Sequence, residues 1–117
     1  MLVEFFVKGY PVPKQSYKHS KRGGYLPKRV TNWQETVGWV AACATPVMFE
    51  GKVRVDLQFY LPHNRRVDLD NLSKAVLDGC NGILWEDDRQ VYRLCLWKFH
   101  DKENPGVMVT VRKLDNE

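Results

Sequence analysis

A chain of 117 residues that is 44% hydrophobic, with four Trp and five Phe, has apolar side chains enough for one core, little room for a second, and no general disorder. Its formal charge is +4, and seven of its 18 basic residues (Lys8, Lys14, Lys18, Lys21, Arg22, Lys28, Arg29) fall between Phe5 and Gln34, where no Asp or Glu occurs. That leaves 11 basic against 14 acidic groups elsewhere, a balance of −3, and points to an anionic partner held near a site of opposite character.

Residues 2–8 are short, apolar and rich in aromatic and β-branched side chains, as a first strand requires. Residues 9–29 carry Pro11, Pro13, Gly23, Gly24 and Pro27 and read as a long functional loop. Residues 31–44 predict a helix. Thr31 with Gln34, or Asn32 with Glu35, offers a capping-box start, and Trp33, Val37, Val40, Ala41 and Ala44 form an inward stripe. Pro46 stops it. Residues 52–60 alternate apolar and polar side chains and predict a half-buried strand. Asp70 is the expected N-cap of a second helix, in which Leu72, Val76, Cys80 and Ile83 recur at helical spacing, with Asn81-Gly82 at its end. Residues 90–99 and 106–114 read as two further strands joined by a turn-like stretch. The order β-α-β-α-β-β predicts an α+β fold, a single two-layer domain over residues 1–117 with helices packed on a mixed or mainly antiparallel sheet.

The longest apolar runs, such as WVAACA, are far shorter than a membrane span. The opening MLVEFFVKGYP lacks a basic leader ahead of a long apolar region, so no secretory signal is expected. Cys43, Cys80 and Cys95 are odd in number, lack the paired spacing of a zinc site, and are expected to be reduced and buried. A cytosolic setting follows.

Between residues 65 and 91 the chain gathers six carboxylates. Asp68 and Asp70 are two apart on the approach to a helix. If that approach is strand-like, both face one spot, and Asp88 returns toward them after the helix. Three converging carboxylates repel one another unless a cation sits between them. Hard oxygen ligands suit Mg²⁺ or Mn²⁺, ions that activate water and stabilise the charge developed in phosphodiester hydrolysis. A plainer reading competes, with Asp70 only a cap, Asp68 a solvated turn residue, and Glu86, Asp87 and Asp88 an acidic loop. An EF-hand fits worse, since Leu72 and Ser73 stand where its pattern needs Asp or Asn and then Gly. Lys74 lies one turn after Asp70 on the same face. It reads either as a surface ion-pair partner or as a group that contacts phosphate in the transition state.

Taken in order, Asp68-Leu69-Asp70-Asn71-Leu72, Lys74-Ala75, Asp78 and Asp87-Asp88-Arg89-Gln90-Val91 closely resemble the signature of RusA-type Holliday junction resolvases, small endodeoxyribonucleases of phages and prophages. The resemblance is dense over residues 65–91 and looser at Pro13-Lys14 and Tyr25-Leu26-Pro27-Lys28. Gln15-Ser16-Tyr17 stands where the family often has further arginines. The resemblance implies that Asp68, Asp70 and Asp88 are metal-binding catalytic carboxylates and that Lys74 is the catalytic lysine. It implies Mg²⁺ as cofactor, with Mn²⁺ able to substitute, and no organic cofactor or membrane. It also implies a homodimer in the bacterial cytoplasm whose two sites cut strands of like polarity across a four-way DNA junction during recombination and repair. A two-fold enzyme can engage a two-fold branch with both sites at once.

The basic segment would supply DNA contacts. Lys14, Lys18, Lys21, Arg22, Lys28 and Arg29 can neutralise phosphates while Tyr10, Tyr17 and Tyr25 stack on exposed bases, and Arg65 and Arg66 can hold the scissile strand. Trp33, Trp39, Trp85 and Trp97 sit in element patterns and are expected in the core or a dimer interface. Two rivals stand beside the resolvase reading. One is a non-catalytic DNA-binding module whose acids merely cap helices. The other is a nuclease of the same chemistry acting on forks, flaps or RNA.

Overall fold

The structure, a computed structural model, describes residues 1–14 and 26–115. In chain order its elements are β1 (Leu2–Lys8), α1 (Lys28–Ala44), β2 (Val53–Leu61), α2 (Leu69–Cys80), a 3-10 turn at Asp88–Gln90, β3 (Val91–His100) and β4 (Gly106–Lys113). The expected α+β order holds. The sheet runs β1-β4-β2-β3. β4 is antiparallel to both β1 and β2, whereas β2 and β3 are parallel, so the sheet is mixed. Consecutive β3 and β4 are therefore not a hairpin, because β4 crosses to lie between β1 and β2.

Alternation along β2 decides which face is covered. Val53, Val55, Leu57, Phe59 and Leu61 are buried and the residues between them are half-exposed. The pairing aligns Phe5, Val109, Leu57 and Leu96 in one row across all four strands. Val7, Val107 and Val111 join this face, which packs against Trp33, Val37 and Ala41 of α1 and Leu72, Ala75, Val76 and Cys80 of α2. Each large side chain moved from water to this layer contributes about 1.5–3 kcal/mol. The two helices meet where neither has a side chain. A Cβ on Gly38 would stand 2.9 Å from Ile83, and one on Gly79 would stand 2.7 Å from the Gln34 carbonyl.

Three expectations need correction. α1 begins at Lys28, ahead of both expected capping boxes, with Pro27 at the N-cap position and no side-chain cap. The proline ring holds φ near helical values, and the Pro27 carbonyl accepts from Val30 and Thr31, so Thr31 is already inside the helix. α2 begins at Leu69, with Asp68 rather than Asp70 at the N-cap position. Leu72 N–H donates to the Asp68 carbonyl, which puts Asp70 in the first turn. Strand-like alternation therefore does not relate Asp68 to Asp70. Cys80 is buried, but Cys43 is exposed and Cys95 is half-buried. Trp33 and Trp85 belong to the core, while Trp39 and Trp97 are exposed, at 73% and 40%.

Candidate active site

α2 presents Asp70, Lys74 and Asp78 at successive i,i+4 positions, hence along one side of the helix. Lys74 Nζ lies 3.3 Å from Asp70 Oδ2, and both side chains are well exposed. Asp78, half-buried, accepts from Lys14 Nζ at 2.5 Å and from Gln34 Nε2 at 3.4 Å. Lys14 is also tied through its backbone, its N–H donating to the Asn71 carbonyl at 2.9 Å. The last residue of the Pro11-Val12-Pro13-Lys14 stretch is thus fastened to α2 at two points.

The acidic turn reaches this region by a tightly built return. Asn81 Oδ1 accepts from Trp85 Nε1 at 2.7 Å, and Gly82 takes φ +79, a conformation that L side chains rarely adopt. Leu84 and Trp85 then drop into the core. Asp87 caps the 3-10 turn by accepting from Arg89 N–H, and Gln90 Oε1 accepts from Glu86 and Asp87 N–H. Gln90 Nε2 donates in turn to the carbonyls of Phe49 and Gly51, which anchors the turn to the approach of β2. On the other flank, Lys98 Nζ donates to the Val67 carbonyl, holding the segment that leads into Asp68.

Electrostatics separate the two neighbouring carboxyls of the turn. The Arg89 N–H bond holds Asp87 below its ordinary value. Burial, then a hydrogen bond to Asp87 and the charges of Asp87 and Asp78, push Asp88 above its own. Asp88 is exposed, so its ionised form is only less favoured than that of a free Asp, as expected of a carboxylate beside others. The donor chemistry of Asp68, Asp70 and Asp88 fits a hard divalent cation, and Asp88 sits where an added positive charge would relieve it. Their arrangement does not fit as well. Among the described residues no three His, Cys, Asp or Glu side chains gather closely enough to hold a metal ion.

The expected residues thus divide. Asp70 is paired with Lys74, and Asp88 bonds Asp87 and feels the charge of Asp78. Asp68 lies exposed at the start of α2, preceded by exposed Arg65 and Arg66. Lys28 and Arg29 are exposed on the first turn of α1, Lys14 is half-buried against α2, and Lys18, Lys21 and Arg22 lie outside the described residues, as do Tyr17 and Tyr25. Sequence reasoning gave Gln34 only a capping role, gave Asp78 and Gln90 no role beyond their place in the family signature, and gave Lys98 none. The spacing of Asp78 from Lys74 and of Gln90 from Asp87 was a usable signal. Lys98, 31 positions from its partner, had none.

The fold is a two-helix, mixed-sheet α+β domain with acidic and basic side chains along one side of α2, an architecture that does not by itself fix an activity. Residues 8–112 match the family model described as Endodeoxyribonuclease RusA, so the chain belongs to that family of nucleases. It is similar to the crossover junction endodeoxyribonuclease RusA of Aquifex aeolicus, at 28% identity over 94% of this chain and 90% of the relative. The protein of the same name from Escherichia coli strain K12 is 24% identical over 92% and 91%. YqaN of Bacillus subtilis is 28% identical over 96% of each.

Proposed function

We propose that this protein is a metal-dependent endonuclease that resolves four-way DNA junctions by paired phosphodiester hydrolysis in strands of like polarity, acting as a homodimer in recombination and repair in the bacterial cytoplasm. The observation that carries the reading is the coincidence, over residues 8–112, of the family match with a helix that presents Asp70, Lys74 and Asp78 along one side, Asp70 and Lys74 as a 3.3 Å pair. The names of the Aquifex and Escherichia relatives support the junction as substrate.

In this mechanism Asp68, Asp70 and Asp88 would hold Mg²⁺, or Mn²⁺ in its place, and the bound ion would supply an activated water and a counter-charge for the phosphorane-like transition state. Lys74 keeps its ammonium beside Asp70 and is positioned to meet a phosphate oxygen as negative charge builds. The Asp88 carboxyl, held above its ordinary value by burial and by its acidic neighbours, would be eased by an added positive charge. Arg65 and Arg66 precede this group and can hold the strand to be cut, while Lys28 and Arg29 meet flanking phosphates.

Labelled four-way junction, fork, flap, duplex and RNA, incubated side by side with Mg²⁺ and with chelator, test the reading. Symmetric nicks in the junction that disappear with chelator are expected. Preferential cutting of forks or flaps would move the substrate while keeping the chemistry. No cutting of any DNA, with no heat of Mg²⁺ uptake by isothermal titration, would leave only a binding module.

A further inference from the structure

Lys14 differs from every other cation of the basic segment that the structure describes. Lys28 and Arg29 extend from an exposed helix start. Lys14 instead has its backbone N–H on the Asn71 carbonyl and its ammonium on Asp78, in a stretch whose φ angles at Pro11 and Pro13 are pinned by their rings. Gln34 of α1 holds the same Asp78 oxygen from the other side. A lysine serving only solubility needs none of this.

The chemistry of the pair suggests a use. An ammonium has three donors, and Asp78 engages one of them. About a third of the Lys14 side-chain surface, 32%, remains open to solvent. On α2 the pair lies one turn beyond Lys74 and, through Asp78, beside Asp88. A phosphate of a strand laid along this helix side would meet Lys74 and Lys14 in succession.

We propose that Lys14 is a fixed phosphate contact within the active site, and that Asp78, supported by Gln34, is its positioning residue. The inference rests on the nuclease reading for its substrate, a DNA strand, and goes beyond the expected phosphate contact of Lys14 by giving Asp78 and Gln34 the task of fixing it. Asp78 acts through Lys14: it fixes where the ammonium stands, so that binding does not have to immobilise a flexible four-carbon stem. It touches no reacting atom.

Steady-state cleavage of a four-way junction with Mg²⁺ tests it on wild type, Lys14→Met, Asp78→Asn, the double variant and Asp78→Glu. Each single change is expected to raise KM about tenfold while kcat stays within about twofold, because the contact holds the strand equally before and during reaction. The double variant should be no worse than Lys14→Met alone, the signature of two groups acting as one. Asp78→Glu, which can still reach the ammonium, should recover most of the loss. The slope of log affinity against log salt should fall by roughly one contact in Lys14→Met. Multiplying effects in the double variant, a loss that follows a fall in melting temperature, or an unaltered Asp78→Asn would each overturn the assignment. If wild type binds the junction without cutting it, the nuclease reading fails, and the same set of variants read as dissociation constants still decides the role of the pair.

Discussion

Asp70 leaves 77% of its side chain in solvent and faces Lys74 at 3.3 Å. Exposed pairs of this kind contribute about 0–1 kcal/mol, and Asp70 is not the cap of α2. Asp70→Asn should therefore leave the melting temperature almost unchanged. It removes one charge from the proposed ion site, and an amide oxygen is a weaker Mg²⁺ ligand than a carboxylate. Junction cleavage should drop about a hundredfold or more while junction binding persists. Lys74→Ala should slow cleavage by about a hundredfold for a different reason, the lost contact to developing charge, and Mg²⁺ uptake should survive. Asp70→Asn enzyme that cuts at the wild-type rate would sink the catalytic assignment. Thiols give a contrasting residue-scale case. Burial pushes the Cys80 thiol up to about 12, whereas Cys43 is exposed. A thiol reagent at pH 8 should modify Cys43 quickly and reach Cys80 only in denaturant, with cleavage kept after the first step. Asp70 with Lys74 was readable because a helix brings i and i+4 together. Lys14 with Asp78 was not, since 64 positions separate them and only the fold closes the gap.

Helices α1 and α2 approach each other through Gly38 and Gly79, and the side of α2 that carries the proposed site depends on that approach because Gln34 and Asp78 meet across it. A methyl group on Gly79 would stand 2.7 Å from the Gln34 carbonyl and 3.1 Å from Val37 Cβ. The nearest atom is backbone and cannot turn aside, so the helices must part. Overpacking typically costs about 1–3 kcal/mol, against roughly 1 kcal/mol that Ala gains over Gly within a helix. Gly79→Ala should thus be net destabilising, by about 1 kcal/mol in urea denaturation, and should weaken junction binding as the Gln34–Asp78–Lys14 group loosens. Equal or higher stability would mean that the crossing is not tight. Strand β2 was legible because its alternation is complete over Val53–Leu61. The start of α1 was not, because a proline set the first turn where side-chain caps were sought. Sheet order was likewise hidden. Nothing local says that β4 passes its predecessor to lie between β1 and β2.

At the scale of the molecule, the helices cover one face of the sheet. On the other, Tyr60 stacks on Phe99 with ring centroids 5.2 Å apart and meets Phe6 at 6.2 Å, while Trp97 and Phe99 remain 40% and 43% exposed. Exposed aromatic groups clustered in this way favour association, and sedimentation at micromolar concentration is expected to give a dimer. A monomer, with or without DNA, would contradict the two-site mechanism. The charge distribution was the most legible property of all, because it needs no fold: +4 overall, with an acid-free basic segment ahead of an acidic remainder. What it could not reveal was that the segment's cations divide into kinds, Lys14 fastened to α2 and Lys28 and Arg29 free of the carboxylate group on an exposed helix start. Each phosphate neutralised by a lysine or arginine releases counterions and adds roughly 0.9 to the slope of log affinity against log salt on duplex DNA. Neutralising Lys21, Arg22, Lys28 and Arg29 together should weaken junction binding at every salt concentration and flatten the slope by up to about four contacts. Mg²⁺ uptake should not change, because none of the four is a proposed ligand. A slope that stays at the wild-type value would make these residues a solvated surface and leave DNA binding to Lys14, Arg65, Arg66 and Lys74.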